Sequence, residues 1–328
     1  MTFSSRCKDE ISRFNLENRC CVIAELAALI RTTGYISFKG NNKFEVEFVM
    51  ENAVVIRRIF KMIKYLYNSK CEITVKKSNR LKKNNNYSIK VNEDIAIKVL
   101  TDTKISKDSE INILKFSYGI PNSLVVNACC KRSYIRSAFL GCGSISDPEK
   151  SYHAEFINRR KKHCRDLEAL MNEYDLGVKS IKRKEIYINY IKDSEKIVDL
   201  LNVMSAYNSL LSIENTRAIK ETRNNINRVV NCETANLSKI VDTSIRQKNS
   251  ILLLQKHNVI DKLPDGLRDL AYLRLDNEDA SLKELGEMLN PPLGKSGVNH
   301  RLKKIEKIAD ELLMKEVSHA IPNYKNKQ

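Results

Sequence analysis

LAALIRTTG (residues 26–34) and IRSAFLGCGS (residues 135–144) decide how this 328-residue chain is read. Each is a run of small and apolar residues that closes on a glycine, the pattern of a buried helix stopping at Gly34 or Gly143. A shift of 109 residues aligns Cys20–Cys21 with Cys129–Cys130, Leu26 with Ile135, Gly34 with Gly143 and Ile36 with Ile145. One offset shared by all these positions indicates an internal duplication.

Outward from the first glycine, Tyr35–Phe38 and Phe44–Val49 alternate as a strand pair around the turn KGNNK. Val54–Tyr67 follows as an amphipathic helix with Val55, Ile59, Ile63 and Leu66 on one face. Cys71–Lys77 and Tyr87–Val91 read as two more strands. The second stretch repeats the order: helix Lys131–Gly143, strands near Ser144 and at His153–Asn158, helix Asp166–Tyr174, strands Gly177–Ile181 and Lys184–Ile191, helix Glu195–Ser205. From about residue 215 the chain reads as all helical, in helices joined by short polar turns. The expected plan is two αββαββ repeats (1–125 and 126–212), a helical domain (213–318) and a frayed tail (319–328), an α+β fold with an all-α appendix.

Composition narrows the function. Lys and Arg number 57 against 40 acids, a net charge of +17. Such a field attracts polyanions: DNA, RNA or an anionic membrane surface. No apolar run approaches the ~20 residues of a membrane helix, and MTFSSRCKDE lacks the apolar centre of a signal peptide. A cytoplasmic, nucleoid-associated protein without membrane insertion is expected. The nine cysteines contain no CxxC pair. The adjacent pairs Cys20–Cys21 and Cys129–Cys130 are poorly spaced to share one tetrahedral ion. Reduced, mostly buried thiols are expected, with no metal and no cofactor.

Both glycine-ended segments resemble the LAGLIDADG motif of homing endonucleases. That resemblance implies two helices packed at a pseudo-dyad, with Ala27, Ala28, Ser137 and Ala138 allowing close approach. It also implies an acid just before each glycine, holding divalent metal against DNA phosphates. Thr33 and Cys142 stand at those positions. Neither supplies the carboxylate oxygen that Mg²⁺ needs, so a catalytically dead core is expected. The resemblance further implies sheets forming a DNA saddle, to which the basic loop Lys76–Lys83 and the run Arg159, Arg160, Lys161, Lys162 can contribute.

The C-terminal segment ASLKELGEMLNPPLGKSGVNHRLKKIEKIADEL carries the functional signal. Ser281 and Glu284 form an S-x-x-E capping box, Leu282, Leu285 and Leu289 an apolar face, and NPP a stop. Ser296 is expected to cap a second helix with Val298, Leu302, Ile305 and Ala309 inward. This is a helix-turn-helix layout, whose second helix reads the major groove. The candidate DNA contacts are Ser281, Lys283, Lys295, Ser296, Asn299, His300, Arg301, Lys303, Lys304 and Lys307. Upstream, Asn224, Asn227, Arg228 and Asn231 share one helix face, suited either to DNA or to solvent.

The order of these parts, with NRVVNCETANLSK and SLKELGEMLNPPLGKSGVNHRLKKI, resembles the WhiA family of bacterial regulators over roughly residues 1–310. The resemblance implies a C-terminal domain like the promoter-reading region 4 of sigma factors. It implies double-stranded DNA as partner, with RNA polymerase or another regulator as a further one. It also implies roles in transcription, cell division and chromosome segregation, and in sporulation in some relatives. The competing readings are a nucleoid or division scaffold without sequence preference and an active endonuclease; the missing acids oppose the latter.

Overall fold

The computed structural model describes residues 1–16, 18–40, 43–69, 71–77, 85–106 and 116–320, with side chains through residue 315. Residues 78–83 of the basic loop and the tail 321–328 lie outside the described residues. The chain divides into two compact units, Met1–Glu221 and the residues from Thr222 onward.

The first unit holds two copies of one topology. Helix α2 (Arg19–Thr33) leads into β1 (Gly34–Gly40) and β2 (Lys43–Met50), then α3 (Ala53–Tyr67), β3 (Glu72–Lys77) and β4 (Asn85–Val91). The second copy runs α5 (Ala128–Cys142), β5 (Gly143–Ile145), β6 (Ala154–Asn158), α6 (Lys161–Asn172), β7 (Lys179–Arg183) and β8 (Ile186–Ile191). Both sheets are antiparallel, in the orders β1-β2-β4-β3 and β5-β6-β8-β7. The register repeats too: Gly34 faces Phe48 and Gly143 faces Phe156, and both phenylalanines are buried. Helices α4 (Glu93–Asp102) and α7 (Ser194–Val203) close the two copies.

Helices α2 and α5 lie along each other in the most extensive helix–helix packing of the unit. Leu26–Arg31 is buried without a break, because a helix enclosed on all sides needs no polar face. Ala27, Ala28, Ser137 and Ala138 are fully buried, as expected for close backbone approach. A Cβ on Gly141 would lie 2.1 Å from Thr32 Oγ1, so only glycine fits there. Gly34 and Gly143 are extended rather than left-handed. Each is required because a Cβ would strike its own helix, at Ile30 O (2.6 Å) and Phe139 Cδ2 (2.3 Å).

Three features were not anticipated. Helix α1 (Phe3–Ser12) is an addition, capped by Thr2 and buried through Phe3, Cys7 and Ile11. Helix α4 is a second addition. Helix α6 begins at Lys161, five residues earlier than expected, which puts Lys161 and Lys162 in a first helical turn. Polar side chains also enter the core. Glu25 and Arg58 form a buried bidentate pair at 2.9 Å, and Arg58 also donates to the carbonyls of Ser12 and Phe14.

One helix, α8 (Tyr207–Lys256), replaces the expected series of shorter ones. The second unit follows with α9 (Asp265–Asp276), α10 (Leu282–Met288) and α11 (Lys295–Ala320). Its core joins Ile251, Leu254, Leu267, Leu270, Leu285, Leu289, Val298, Leu302, Ile305 and Ala309.

Candidate nucleic-acid interface

Two places bear on the expectation of a nucleic-acid partner: the C-terminal ends of α2 and α5, and the α10–α11 pair. At the first, Thr33 Oγ1 donates to Leu29 O at 2.9 Å, so the hydroxyl is spent on its own helix. Cys142 is half-buried, and the desolvation of its thiol pushes it up to about 12, so it is a neutral group at neutral pH. Lys8 of α1 lies against this end, its Nζ 5.7 Å from the Phe139 ring centroid. It is an electrostatic neighbour of Cys142. A cleft here is lined by Lys8, Thr33, Gly141 and Ser144. The position that needs two carboxylates thus holds a hydroxyl, a thiol and a nearby amine. None is a ligand set for a hard divalent ion.

The outward sheet faces are mixed in charge. Glu45 accepts from Lys39 (3.1 Å) and Lys90 (3.0 Å), which hold its carboxyl below the usual range. By register, Glu47 and Glu72 share that face. In the second sheet, Ile157 and Ile181 are exposed. Arg159 stacks on Tyr35 (5.2 Å) and donates to its hydroxyl; Arg160 covers the Tyr118 ring at 4.4 Å. Lys162 pairs with Asp166 at 2.8 Å, and Lys161 is exposed. Three of these four cations are therefore engaged within the protein.

The α10–α11 pair is built differently. Ser281 Oγ accepts from Glu284 N while the Glu284 carboxylate accepts from Ser281 N, a complete capping box. Helix α10 stops after Met288. The chain then folds back so that Leu293 N donates to Gly286 O at 2.9 Å. A Cβ on Gly286 would sit 2.0 Å from Leu293 O, so glycine is what lets the turn close. Helix α11 starts at Lys295, with Val298 N bonded to Gly294 O. Gly294 is therefore at the cap position, and Ser296 lies in the first turn instead of capping.

Val298, Leu302, Ile305 and Ala309 are buried, as their spacing requires. Helical geometry puts Ser296, His300, Lys303, Lys304 and Lys307 on the opposite side, and all five are exposed. Lys295 is also exposed at the helix start, while Asn299 is half-buried at the flank. Arg301 stands apart: its NH1 donates to Gly266 O at 3.0 Å, fastening α11 to α9. Lys283 approaches Glu287 (3.7 Å) and Lys307 approaches Glu311 (4.0 Å), both exposed pairs. Asn224, Asn227, Arg228 and Asn231 are exposed on α8, where Ile226, Val229 and Val230 are exposed as well.

Sequence reasoning missed Lys8, Gly286 and the tether of Arg301. It also misjudged the thiols: only Cys7, Cys130 and Cys164 are buried, and Cys20, Cys21, Cys129 and Cys130 converge.

The comparisons agree along nearly the whole chain. A family profile described as the WhiA N-terminal LAGLIDADG-like domain matches residues 19–106. The WhiA LAGLIDADG-like domain matches 131–223, and the WhiA C-terminal HTH domain matches 226–309. A protein of Alkaliphilus metalliredigens named "Probable cell division protein WhiA" is 49% identical, over 94% of this chain and 98% of its own. One of the same name from Clostridium acetobutylicum is 48% identical, over 95% and 98%. The crystal structure of full-length WhiA from Thermatoga maritima has the same fold, with a TM-score of 0.57 and 24% identity, over 95% of this chain and 99% of that one. With two LAGLIDADG-like halves, a helix-turn-helix unit and near-half identity to full-length relatives, this chain belongs to the WhiA family.

Proposed function

We propose that the protein binds double-stranded DNA sequence-specifically through α11 and acts as a transcriptional regulator, with a core that no longer cuts. The observation that carries this reading is the exposed face of Ser296, His300, Lys303, Lys304 and Lys307, opposite a fully packed apolar stripe in a helix-turn-helix unit. Lys303 and Lys304 make no ion pair among the described residues, so their charge is available to phosphate. In this reading Ser296, Asn299, His300 and Lys303 are near bases, and Lys295, Lys304 and Lys307 meet the backbone. Arg301 positions α11 rather than reading a base. Ser281, Lys283, Asn224, Asn227, Arg228 and Asn231 are secondary phosphate contacts.

Relatives are named as cell division proteins, which favours genes of division and chromosome segregation as targets. RNA polymerase is the fitting further partner for a unit of sigma-region-4 type. Thr33, Cys142 and Lys8 support a core without nuclease activity.

The test is footprinting of the full chain on fragments of its own genome. Discrete protected sites, lost in a Lys303→Ala/Lys304→Ala variant, are expected. Uniform coating without preferred sites would instead support the scaffold reading. Supercoiled plasmid incubated with excess protein and Mg²⁺ or Mn²⁺ should stay intact; nicking that copurifies with the protein would contradict the dead core.

A further inference from the structure

The N-terminal ends of α2 and α5 carry a feature that the DNA-binding reading does not use. Cys20 and Cys21 lie in the first turn of α2, Cys129 and Cys130 in the first turn of α5. The two pairs are 109 residues apart in sequence, but the pseudo-dyad brings them face to face. All four sulfurs lie within 4.8 Å of one another, and Cys129 and Cys130 Sγ are 4.0 Å apart. Tetrahedral thiolate coordination at ~2.3 Å sets sulfur–sulfur edges of about 3.8 Å. The cluster is thus within a small side-chain adjustment of a single-ion site. An iron–sulfur cluster, with several metals between its thiolates, needs its sulfurs farther apart.

We propose that these four thiols form a mononuclear site for a thiophilic divalent ion, Zn²⁺ being the natural occupant, which clips the two repeats together. Three observations support it besides the distances. Cys20 and Cys129 are exposed, Cys21 partly so and Cys130 buried, so an ion can enter from solvent and be held from beneath. Both helices begin at an asparagine that makes no side-chain cap bond, leaving first-turn N–H dipoles to favour thiolates. Arg136 lies close by, an electrostatic neighbour of Cys21, with its buried Nε lacking a hydrogen-bond partner and its NH1 3.9 Å from Glu25. Four thiolates around a dication carry a net charge of −2, which such a guanidinium helps to balance.

Binding replaces four S–H bonds by four metal–sulfur bonds and releases four protons to solvent, with no change of oxidation state. Affinity therefore rises with pH. The site lies at the opposite end of α2 and α5 from Thr33 and Cys142, about 20 Å away along a 15-residue helix. It is structural, not a relic of nuclease chemistry.

The test uses the full chain, grown with zinc, purified with a reductant and without chelator. Elemental analysis should find one zinc per chain, and four of the nine thiols should resist a thiol reagent until a chelator is added. A Cys20→Ser/Cys129→Ser variant should lose the ion, while Cys232→Ser should keep it. Where the double variant fails to fold, Co²⁺ titration of the parent decides, because four sulfur ligands give an intense thiolate-to-cobalt absorption. Reduced parent protein without metal and without that absorption would overturn the proposal. So would zinc retained in the folded double variant. A Cys–Cys link between α2 and α5 in protein that takes up no zinc after reduction would overturn it in favour of a disulfide.

Discussion

Gly286 shows how much one missing methyl group can decide. The turn between α10 and α11 closes because Leu293 lies against the Gly286 backbone, hydrogen-bonded at 2.9 Å. In a Gly286→Ala variant the new Cβ would meet the Leu293 carbonyl oxygen at 2.0 Å and the buried Val298 Cγ2 at 3.1 Å. Overpacking of this kind costs about 1–3 kcal/mol. Thermal unfolding of the variant should show the loss in the helix-turn-helix unit, together with weaker DNA binding; an unchanged melt and unchanged affinity would mean the turn is closed by other contacts. Arg301 makes the complementary point. Its type and position suggested a base reader, yet its guanidinium is held by Gly266 O. Sequence spacing gave its place beside the buried stripe but not the carbonyl 35 residues upstream that claims it. The same limit hid the true cap of α11. Ser296 has the right chemistry, but pinning of Leu293 moves the cap two residues earlier, to Gly294.

At the scale of elements, the α2–α5 crossing and the strand pairs were legible because their signals are local: an unbroken apolar run, a terminal glycine, alternation over five or six residues. Helix α1 was not, although Phe3, Cys7 and Ile11 recur at four-residue spacing, because so short and polar a segment only becomes a helix by packing against α3 and α5. Replacing Ala28 by Leu should overpack the crossing by about 1–3 kcal/mol, since Ala28 is wholly enclosed. A parent-like melting temperature would show that the helices can separate to accept the larger side chain. Helix α6 brings a second buried network. His163 Nδ1 and Asn158 Oδ1 are 2.8 Å apart, and His163 Nε2 and Tyr134 Oη 3.0 Å. Asn158 Nδ2 already donates to Asn189 Oδ1 and Phe156 O, so its oxygen must accept. The imidazole is then neutral, with its proton on Nδ1 and Nε2 accepting from the tyrosine.

That network gives the whole molecule a pH signature. Burial pushes the His163 pKa down to about 3 from its ordinary 6.5, with nearby Arg31 adding to the effect. The unfolded chain therefore binds a proton at this residue that the folded chain refuses between those two values. Stability is fully present above pH ~6.5 and falls as the pH drops towards 3, by up to about 1.4 kcal/mol per unit for one proton. Denaturant melts from pH 7 to 4.5 should show this slope, and His163→Gln, which can keep both hydrogen bonds, should flatten it. An identical slope in the variant would assign the acid sensitivity to other groups. The division of labour between the units rests on charge that is free against charge that is spent. The core's Arg159 and Arg160 are stacked on tyrosines and Lys162 is paired, whereas Lys303 and Lys304 on α11 make no ion pair among the described residues. Net charge in the sequence pointed to a polyanionic partner; only the folded chain distinguishes the two kinds of cation. The convergence of four cysteines was equally illegible, because ligand spacing along a chain says nothing of two helices meeting at a dyad.

The central claim is that α11 carries the DNA affinity, and the salt dependence of binding tests it most directly. Binding constants for a footprinted site should be measured at several salt concentrations for the full-length parent, for Lys303→Ala/Lys304→Ala, and for Arg159→Ala/Arg160→Ala. Each lost phosphate contact removes about one unit from the slope of log K against log salt. The α11 variant should lose about one unit of slope, through Lys304, and most of its preference over a scrambled site, through Lys303, while the core variant keeps both. The reverse result, with the core variant losing slope and the α11 variant unchanged, would contradict the account.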